Sequence, residues 1–287
     1  KGNFRLRGIR STNPVAVGDG VTITQPRDMQ PAYITEVDER RNYIVRKASN
    51  LSKQSHILAA NVDLALLVVT LARPETSTTF IDRFLASAEA YRVPAALVIN
   101  KMDQMTDDER QEAERLELLC HIYRSMDYQC LPMSALNGTG IEPLKQLLQG
   151  QTTLLAGHSG VGKSTLLNTL VPQAHARTAQ VSEAHGTGMH TTTYSELYEL
   201  PQGGALIDIP GIKGFGTFNM EPEEVAHYFR DIFRLSRGCR FSNCTHTHEP
   251  GCAVMQALED LKLAPSRYTS YLSMLEDKDE GKYRAAF

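Results

Sequence analysis

One stretch limits what this chain can become. Gly157-His158-Ser159-Gly160-Val161-Gly162-Lys163-Ser164-Thr165 fits the pattern G-x-x-x-x-G-K-[ST]. Its flanks fit as well. Thr152-Thr153-Leu154-Leu155-Ala156 is short, apolar and β-prone, and predicts a buried strand. Thr165 to Leu170 carries apolar residues at helical spacing. Strand, glycine loop and helix N-terminus together make an anion cradle, because loop N–H groups and the helix dipole converge on one point. Lys163 is placed to reach the β- and γ-phosphates of a nucleotide, and Ser164 to hold Mg²⁺.

The phosphate cradle does not name the base, but an earlier segment does. Val62 to Thr70 is a near-continuous apolar run, typical of a parallel strand covered on both faces. Phe80 to Tyr91 has helical periodicity, and Ala95-Ala96-Leu97-Val98-Ile99 predicts a second buried strand that delivers Asn100-Lys101-Met102-Asp103. N-K-x-D after a strand reads guanine. The Asp103 carboxylate can accept from N1–H and the 2-amino group, a donor pair that adenine lacks, so a buried unpaired carboxylate penalises ATP. Asn100 and Lys101 brace the loop. Thr106 to Glu109 reads as a capping box that opens a helix to about Ser125. Ser134-Ala135-Leu136 then follows a strand and precedes a helix at 141–148, the place of a second base-contacting loop.

The switch segments come after the cradle. Gly186 to Thr193 is polar and glycine-bearing, with His190 beside three threonines, one of which should close on Mg²⁺ and the γ-phosphate. Ala205-Leu206-Ile207 predicts a strand ending in Asp208-Ile209-Pro210-Gly211. Asp208 would hold Mg²⁺ through water, and the Gly211 N–H would sense the γ-phosphate. The residue after Gly211 is Ile212, which cannot orient a water, so His190 is the better candidate for that task and Lys213 a poorer one. The order is base reader, S-A-L, cradle, first switch, second switch. The ordinary order begins with the cradle. Joining the old termini and opening the chain elsewhere keeps one sheet, so a circular permutation is expected, with the second switch leading straight into the C-terminal region.

The two ends of the chain differ from this centre. Residues 1–55 carry ten Lys and Arg against five Asp and Glu, whereas residues 56–236 carry thirteen against twenty-one. A basic beginning on an acidic chain points to an anionic partner. Short alternating segments there (4–9, 21–23, 32–37 and 42–45) predict a small antiparallel barrel of the oligonucleotide-binding (OB) type, decorated by Arg5, Arg7, Arg10, Arg41, Arg46 and Lys47. Phe4, Tyr33 and Tyr43 are its few stacking aromatics. Near the other end, a helix is expected from about Glu221 to Leu235. Cys239-x₄-Cys244-x-His246-x₅-Cys252 then supplies three thiolates and an imidazole, a closed tetrahedral set for one structural Zn²⁺, with His248 as the alternative to His246. Helices at 252–263 and 265–276 complete that part. Cys120 and Cys130 fall in apolar segments and read as buried thiols. An odd count of five cysteines and no secretory signal argue for a reducing cytosol. No run approaches the ~18 apolar residues of a membrane span. The chain begins at Lys1 without a Met, so its true start is expected upstream.

The permuted order, Gly-Met-His-Thr-Thr-Thr at 188–193, Asp-Ile-Pro-Gly at 208–211 and the Cys/His cluster together resemble the ribosome small subunit-dependent GTPase A (RsgA) family, over essentially the whole chain. Ile209 departs from the usual Thr or Ser. The resemblance implies a multidomain α/β protein with an OB-fold barrel at 1–58, a circularly permuted GTPase domain with a mostly parallel sheet and helices on both faces at 59–217, and an α-helical zinc-binding domain at 218–287. It implies a cytoplasmic, monomeric GTP hydrolase that uses GTP/GDP and Mg²⁺. Such a protein would bind the small ribosomal subunit and its 16S rRNA late in maturation, be stimulated by that particle, and have no membrane role. His190 would be the hydrolysis residue and Thr192 the Mg²⁺-sensing threonine. The other reading is a GTP-gated module that binds another RNA or protein, with incidental hydrolysis.

Overall fold

The structure, a computed structural model, describes residues 13–25, 32–47, 55–105, 109–174, 195–209 and 222–280. Four short strands come first. β1 (Val21–Thr24) pairs antiparallel with β2 (Tyr33–Val37), and β3 (Tyr43–Lys47) with β4 (Ser55–Ala60). Among the described residues these are two separate ladders, joined to each other by no strand pairing, with one parallel bridge from Val17 to Ala59. Phe4, Arg5, Arg7 and Arg10 lie outside the described residues. Side chains fasten this region together and to the central domain. Arg40 grips Asp19 through two 2.6 Å bonds, both side chains being nearly inaccessible. Asn42 donates to the Val62 carbonyl and accepts from its N–H, each at 2.8 Å.

The centre is a six-stranded sheet, and β5 (Leu64–Thr70) organises it. It pairs in parallel with β6 (Ala95–Asn100) on one side and with β8 (Thr152–Ala156) on the other. β7 (Gln129–Pro132) extends the sheet beyond β6, and β9 (Glu196–Glu199) and β10 (Ala205–Asp208) extend it beyond β8, in the order β7-β6-β5-β8-β10-β9. All pairings are parallel except that of β9 with β10. The short, mostly exposed β9 has no clear signal in the sequence.

Alternation along β5 shows why it must be apolar throughout. Ala65, Leu67 and Val69 face a core filled by Ile81, Phe84, Leu85 and Ala88 of α1 (Thr78–Ala90) and by Cys120 and Tyr123 of α2 (Glu109–Arg124). Leu64, Leu66 and Val68 face the opposite core, filled by Leu144 and Leu148 of α3 (Ile141–Leu148) and Leu166, Leu167 and Leu170 of α4 (Lys163–Leu170). Period-two strands between two helical layers give a sheet buried on both sides. Ile44, Ala59 and Val62 join the α1 and α2 core, so the N-terminal ladders share it.

The C-terminal helices pack on α1 from outside. The single helix expected from Glu221 to Leu235 is broken. α5 (Pro222–Val225) passes into a 3₁₀ turn at Ala226–Tyr228, Phe229 is extended at φ −105° and ψ 100°, and α6 (Arg230–Ser236) comes next. The break lets the Phe229 ring enter the local core edge-on to Tyr271, with the Arg267 guanidinium 4.7 Å above it. α7 (Ala253–Glu259) is shorter than expected and α8 (Pro265–Glu280) longer. Arg267 of α8 joins Asp82 of α1 at 2.7 Å and Asp231 of α6 at 2.9 Å. Tyr123 donates to the same Asp82 oxygen at 2.7 Å. No helix among the described residues is long and apolar enough to cross a membrane.

Candidate nucleotide and metal sites

The strand order reverses at β5, with β6 and β7 on one side and β8 and β10 on the other. Open α/β sheets leave a crevice at such a point, beyond the carboxyl ends of the strands. Asn100, at the end of β6, and the loop after β8 both open onto it. Two glycines of that loop have no room for a side chain. A Cβ on Gly157 (φ 145°) would stand 2.5 Å from the Val68 carbonyl oxygen, and one on Gly162 (φ 96°) would stand 2.4 Å from Nδ2 of Asn100. Ser164 and Thr165 enter the first turn of α4 directly behind it.

Lys163 Nζ donates to the carbonyls of Gly157 at 2.7 Å and His158 at 2.8 Å. An ammonium has three N–H bonds, so one remains to meet an anion at the loop mouth. Burial lowers the Lys163 pKa, while the negative charge of Asp208 opposes that shift. Burial raises the Asp208 pKa against the opposing pull of Lys163. The two groups therefore share one region of the site. Ser164 and Asp208 supply hard oxygen donors of the kind Mg²⁺ takes. His190, Thr192, Pro210 and Gly211 lie outside the described residues, as does the Thr106 end of the expected capping box.

Asn100 ties the expected base reader to both other loops. Its Oδ1 accepts from the Ala135 N–H at 2.9 Å, and its Nδ2 donates to the Val161 carbonyl at 2.8 Å. It is 3% exposed. The Ser134 hydroxyl hydrogen-bonds the Asp103 carboxylate, which is exposed and so free to meet a ligand edge. The Met102 N–H reaches the Met133 carbonyl at 3.1 Å, and the Met133 N–H reaches the Ile99 carbonyl at 2.8 Å. Leu136 stands beside them, 75% exposed. Asn100 to Asp103, Ser134 to Leu136 and Gly157 to Thr165 are thus one assembly.

The segment between β5 and α1 belongs to this assembly without any motif to announce it. Lys101 Nζ donates to the Arg73 carbonyl at 2.8 Å, and Pro74 packs over Gly160. The Thr70 N–H donates to Thr76 Oγ1 at 3.0 Å, which lies 2.7 Å from His158 Nε2. The other ring nitrogen faces the Ser159 carbonyl at 3.0 Å. A carbonyl only accepts, so Nδ1 carries the hydrogen and Nε2 accepts from the Thr76 hydroxyl. Burial lowers the His158 pKa, in keeping with this neutral form. The Phe80 ring meets His158 edge-on at 5.5 Å.

The second cluster lies between α6 and α7. The ligand atoms of Cys239, Cys244, His246 and Cys252 all fall within 4.8 Å of one another. Cys239 and Cys252 Sγ are 3.9 Å apart, and His246 Nδ1 lies 3.6 and 3.5 Å from them. Tetrahedral Zn²⁺ with ordinary bond lengths gives S···S and N···S edges of about 3.8 and about 3.6 Å, so the donor set fits the ion in kind and these three separations fit it in size. Burial lowers the His246 pKa, which favours the neutral imidazole that a metal needs. His248 is exposed, outside the cluster, and bonded to Thr247 Oγ1 at 2.8 Å. Glu249 orders the loop, although no local pattern marks it. It accepts from Thr245 N and Oγ1 at 2.7 and 2.6 Å and from Thr247 N at 3.1 Å. Burial pushes its pKa up, but these bonds outweigh that and hold the carboxylate well below its usual range. Tyr268 and Tyr271 of α8 fix the same loop by donating to the His246 and Thr245 carbonyls, each at 2.8 Å.

With this geometry in place, the chain can be set beside known proteins. The family model described as RsgA GTPase matches residues 37–218. A small ribosomal subunit biogenesis GTPase RsgA of Bacteroides fragilis is 58% identical over 287 residues, all of this chain and 91% of that protein. The protein of the same name from Porphyromonas gingivalis is 58% identical over 291 residues, again across all of this chain and 91% of its own length. Among solved structures, YjeQ from Thermotoga maritima superposes with a TM-score of 0.74 at 36% identity, covering 96% of this chain and 87% of that one. YloQ, described as a circularly permuted GTPase, gives 0.72 at 31% identity, covering 98% and 87%. The out-of-order loops and the single sheet they surround are the permuted GTPase fold.

Proposed function

This chain belongs to the RsgA GTPase family, and we propose from that premise that it binds the small ribosomal subunit and couples GTP hydrolysis to the late maturation of that particle and to its own release. One observation carries the reading. Asn100 bonds Ala135 on one side and Val161 on the other, which supports reading the expected base-reading and phosphate-binding loops as one pocket although the chain writes them out of the usual order.

Each part of the pocket then has a task. Asp103, oriented by Ser134, selects guanine, and the Ala135 and Leu136 backbone lies where the base oxygen would come. The N–H groups of 157–165 and the remaining Lys163 N–H hold the phosphates. Ser164, Thr192 and Asp208 would hold Mg²⁺, which supplies charge neutralisation at the transferred phosphoryl group when bound. Gly211 senses the γ-phosphate, and His190 orients the water whose attack gives GDP and phosphate. Cys239, Cys244, His246 and Cys252 take one structural Zn²⁺. The N-terminal ladders are read as part of an OB barrel that contacts 16S rRNA together with the zinc domain. The protein acts as a cytoplasmic monomer.

The test is GTP turnover with and without purified small subunits. Strong stimulation by small subunits, absent with large subunits or free RNA, is the expected result. Equal turnover in all four conditions refutes the coupling. His190→Ala should abolish stimulated turnover while leaving GDP affinity unchanged.

A further inference from the structure

The segment between β5 and α1 is fastened at nearly every residue. Arg115 of α2 donates to the Leu71 carbonyl at 3.4 Å and pairs with Glu75 at 2.7 Å. Lys101 holds the Arg73 carbonyl at 2.8 Å. The Thr70 hydroxyl donates to the Pro74 carbonyl, and the Thr76 N–H returns to the Thr70 carbonyl at 2.9 Å. Ser77 then caps α1 by accepting from the Phe80 N–H at 3.2 Å. This wall meets the loop after β8 at two places. Pro74 lies over Gly160, where a Cβ would stand 3.2 Å from the Pro74 Cδ. Thr76, 8% exposed, meets His158 Nε2 at 2.7 Å.

The second contact is part of a relay that ends on the loop's own backbone. The Thr70 N–H donates to Thr76 Oγ1 at 3.0 Å, the Thr76 hydroxyl donates to His158 Nε2, and His158 Nδ1–H donates to the Ser159 carbonyl at 3.0 Å. Each donation polarises the next group and strengthens the bond that group makes. A peptide unit is planar and trans, so the Ser159 carbonyl and the Gly160 N–H point in opposite directions. Holding the carbonyl on the side of the imidazole therefore turns the Gly160 N–H away from the wall.

We propose that Thr76 and His158 are positioning residues for the phosphate-binding loop. They hold the Ser159–Gly160 peptide so that the Gly160 N–H faces the phosphates beyond the first of a guanosine di- or triphosphate. This role rests on the guanine-nucleotide reading above. An anion cradle works only while N–H groups face the anion, and a peptide turned over would present a carbonyl that repels it. Gly160, at φ 84°, has the backbone freedom to turn over. The relay removes that freedom from one side, and Pro74 closes off the outer face of the same residue. Neither Thr76 nor the His158 ring touches the ligand. Both act through one peptide unit.

The test compares full chains by displacing a fluorescent GDP with GDP and with GMP, which keeps the base and only the first phosphate. Thr76→Val and His158→Leu each remove the bond between the two side chains. Each should weaken GDP by about 3–10-fold and GMP by less than about twofold. Thr76→Ser, which keeps the hydroxyl, should restore the GDP affinity. His158→Leu leaves the bond from Thr70 to Thr76 intact, so it answers for the relay even where Thr76→Val folds poorly. The double variant should lose no more than the larger single loss. GDP affinity within about twofold of wild type in His158→Leu, or equal losses for GDP and GMP, overturns the positioning role. Nitrogen NMR of the nucleotide-free wild type should find the His158 hydrogen on Nδ1, and finding it on Nε2 overturns the relay. That spectrum is read without nucleotide, so a failure of the guanine reading does not disturb it. A wild type that binds no GDP sinks that reading, and the positioning role with it, before any variant is compared.

Discussion

Replacing Asn100 by Ala removes one side chain and strands two buried backbone groups, the Ala135 N–H and the Val161 carbonyl. An orphaned buried donor or acceptor costs about 1–3 kcal/mol, so the pair costs about 2–6 kcal/mol. Both loops border the open crevice, where water can reach part of what is lost, which places the total in the lower half, about 2–4 kcal/mol. On the proposed reading the nucleotide binds only when both loops are in place. If half of the loss is charged to binding, GDP affinity falls about 5–30-fold, at 1.4 kcal/mol per decade. Fluorescent GDP titration reads that share, and urea unfolding without nucleotide reads the rest. A second substitution checks the cause. Gly162→Ala alone drives a methyl to within 2.4 Å of Asn100 Nδ2 and so strikes the same bridge from the other side. In the Asn100→Ala background that collision is gone and only the strain of φ 96° remains. The double variant should therefore lose clearly less than the sum of the two single losses. Additive losses, or an Asn100→Ala affinity within twofold of wild type, would falsify the idea that this side chain joins the loops.

Four further outcomes are expected. Asp103→Asn should lower GTP affinity by one to two decades, about 1.4–3 kcal/mol, and shift preference to xanthosine triphosphate, as competition binding would reveal; unchanged selectivity would remove Asp103 from the base. Elemental analysis of undenatured chain should find one zinc, and chelation should open residues 237–252 to protease while leaving GDP affinity within a few-fold; absent metal sinks the zinc reading. Arg267→Ala leaves the fully buried Asp82 without its cation and should cost about 3–5 kcal/mol in urea unfolding. Much of this should return when Asp82→Ala is added, and a loss below 1 kcal/mol would count against the joint. His158 has its folded pKa lowered from 6.5, so the unfolded chain takes up that proton first as pH falls. Its contribution is complete above 6.5 and is lost as pH drops towards the folded value. His158→Gln should flatten the fall of stability with pH on that side of neutrality, and an unaltered slope refutes the assignment.

The loops of the proposed nucleotide pocket were legible as motifs because such chemistry needs contiguous residues in a fixed local shape. Gly157 to Thr165 and Asn100 to Asp103 carry their own geometry, so their type could be read without knowing what lies beside them. The Cys/His cluster was legible for the same reason, down to a choice between two histidines that only a folded loop can make. Partners across the chain were not. Thr76 meets His158 across 82 residues, and Arg267 meets Asp82 across 185. Periodicity assigns a residue to a face but does not say what covers that face.

α1 shows the consequence. Ile81, Phe84, Leu85 and Ala88 form the apolar stripe that the sequence announces, and they face the sheet. Asp82 and Ser87 would read as the outer, solvated side, yet each is 0% exposed. Their burial comes from the C-terminal helices, which add Ala86 to their own core, bond Arg83 through Ser273, and neutralise Asp82 with Arg267. An isolated carboxylate in that place would be prohibitive, so Asp82 makes sense only with α8 docked. The joint between the central sheet domain and the helices that flank the Cys/His cluster is therefore made by packing on α1 as well as by chain continuity after β10. The N-cap of α1, Ser77, comes directly after the threonine that bonds His158. One helix thus meets the phosphate loop at its beginning and the C-terminal helices along its side, a convergence that no local motif encodes.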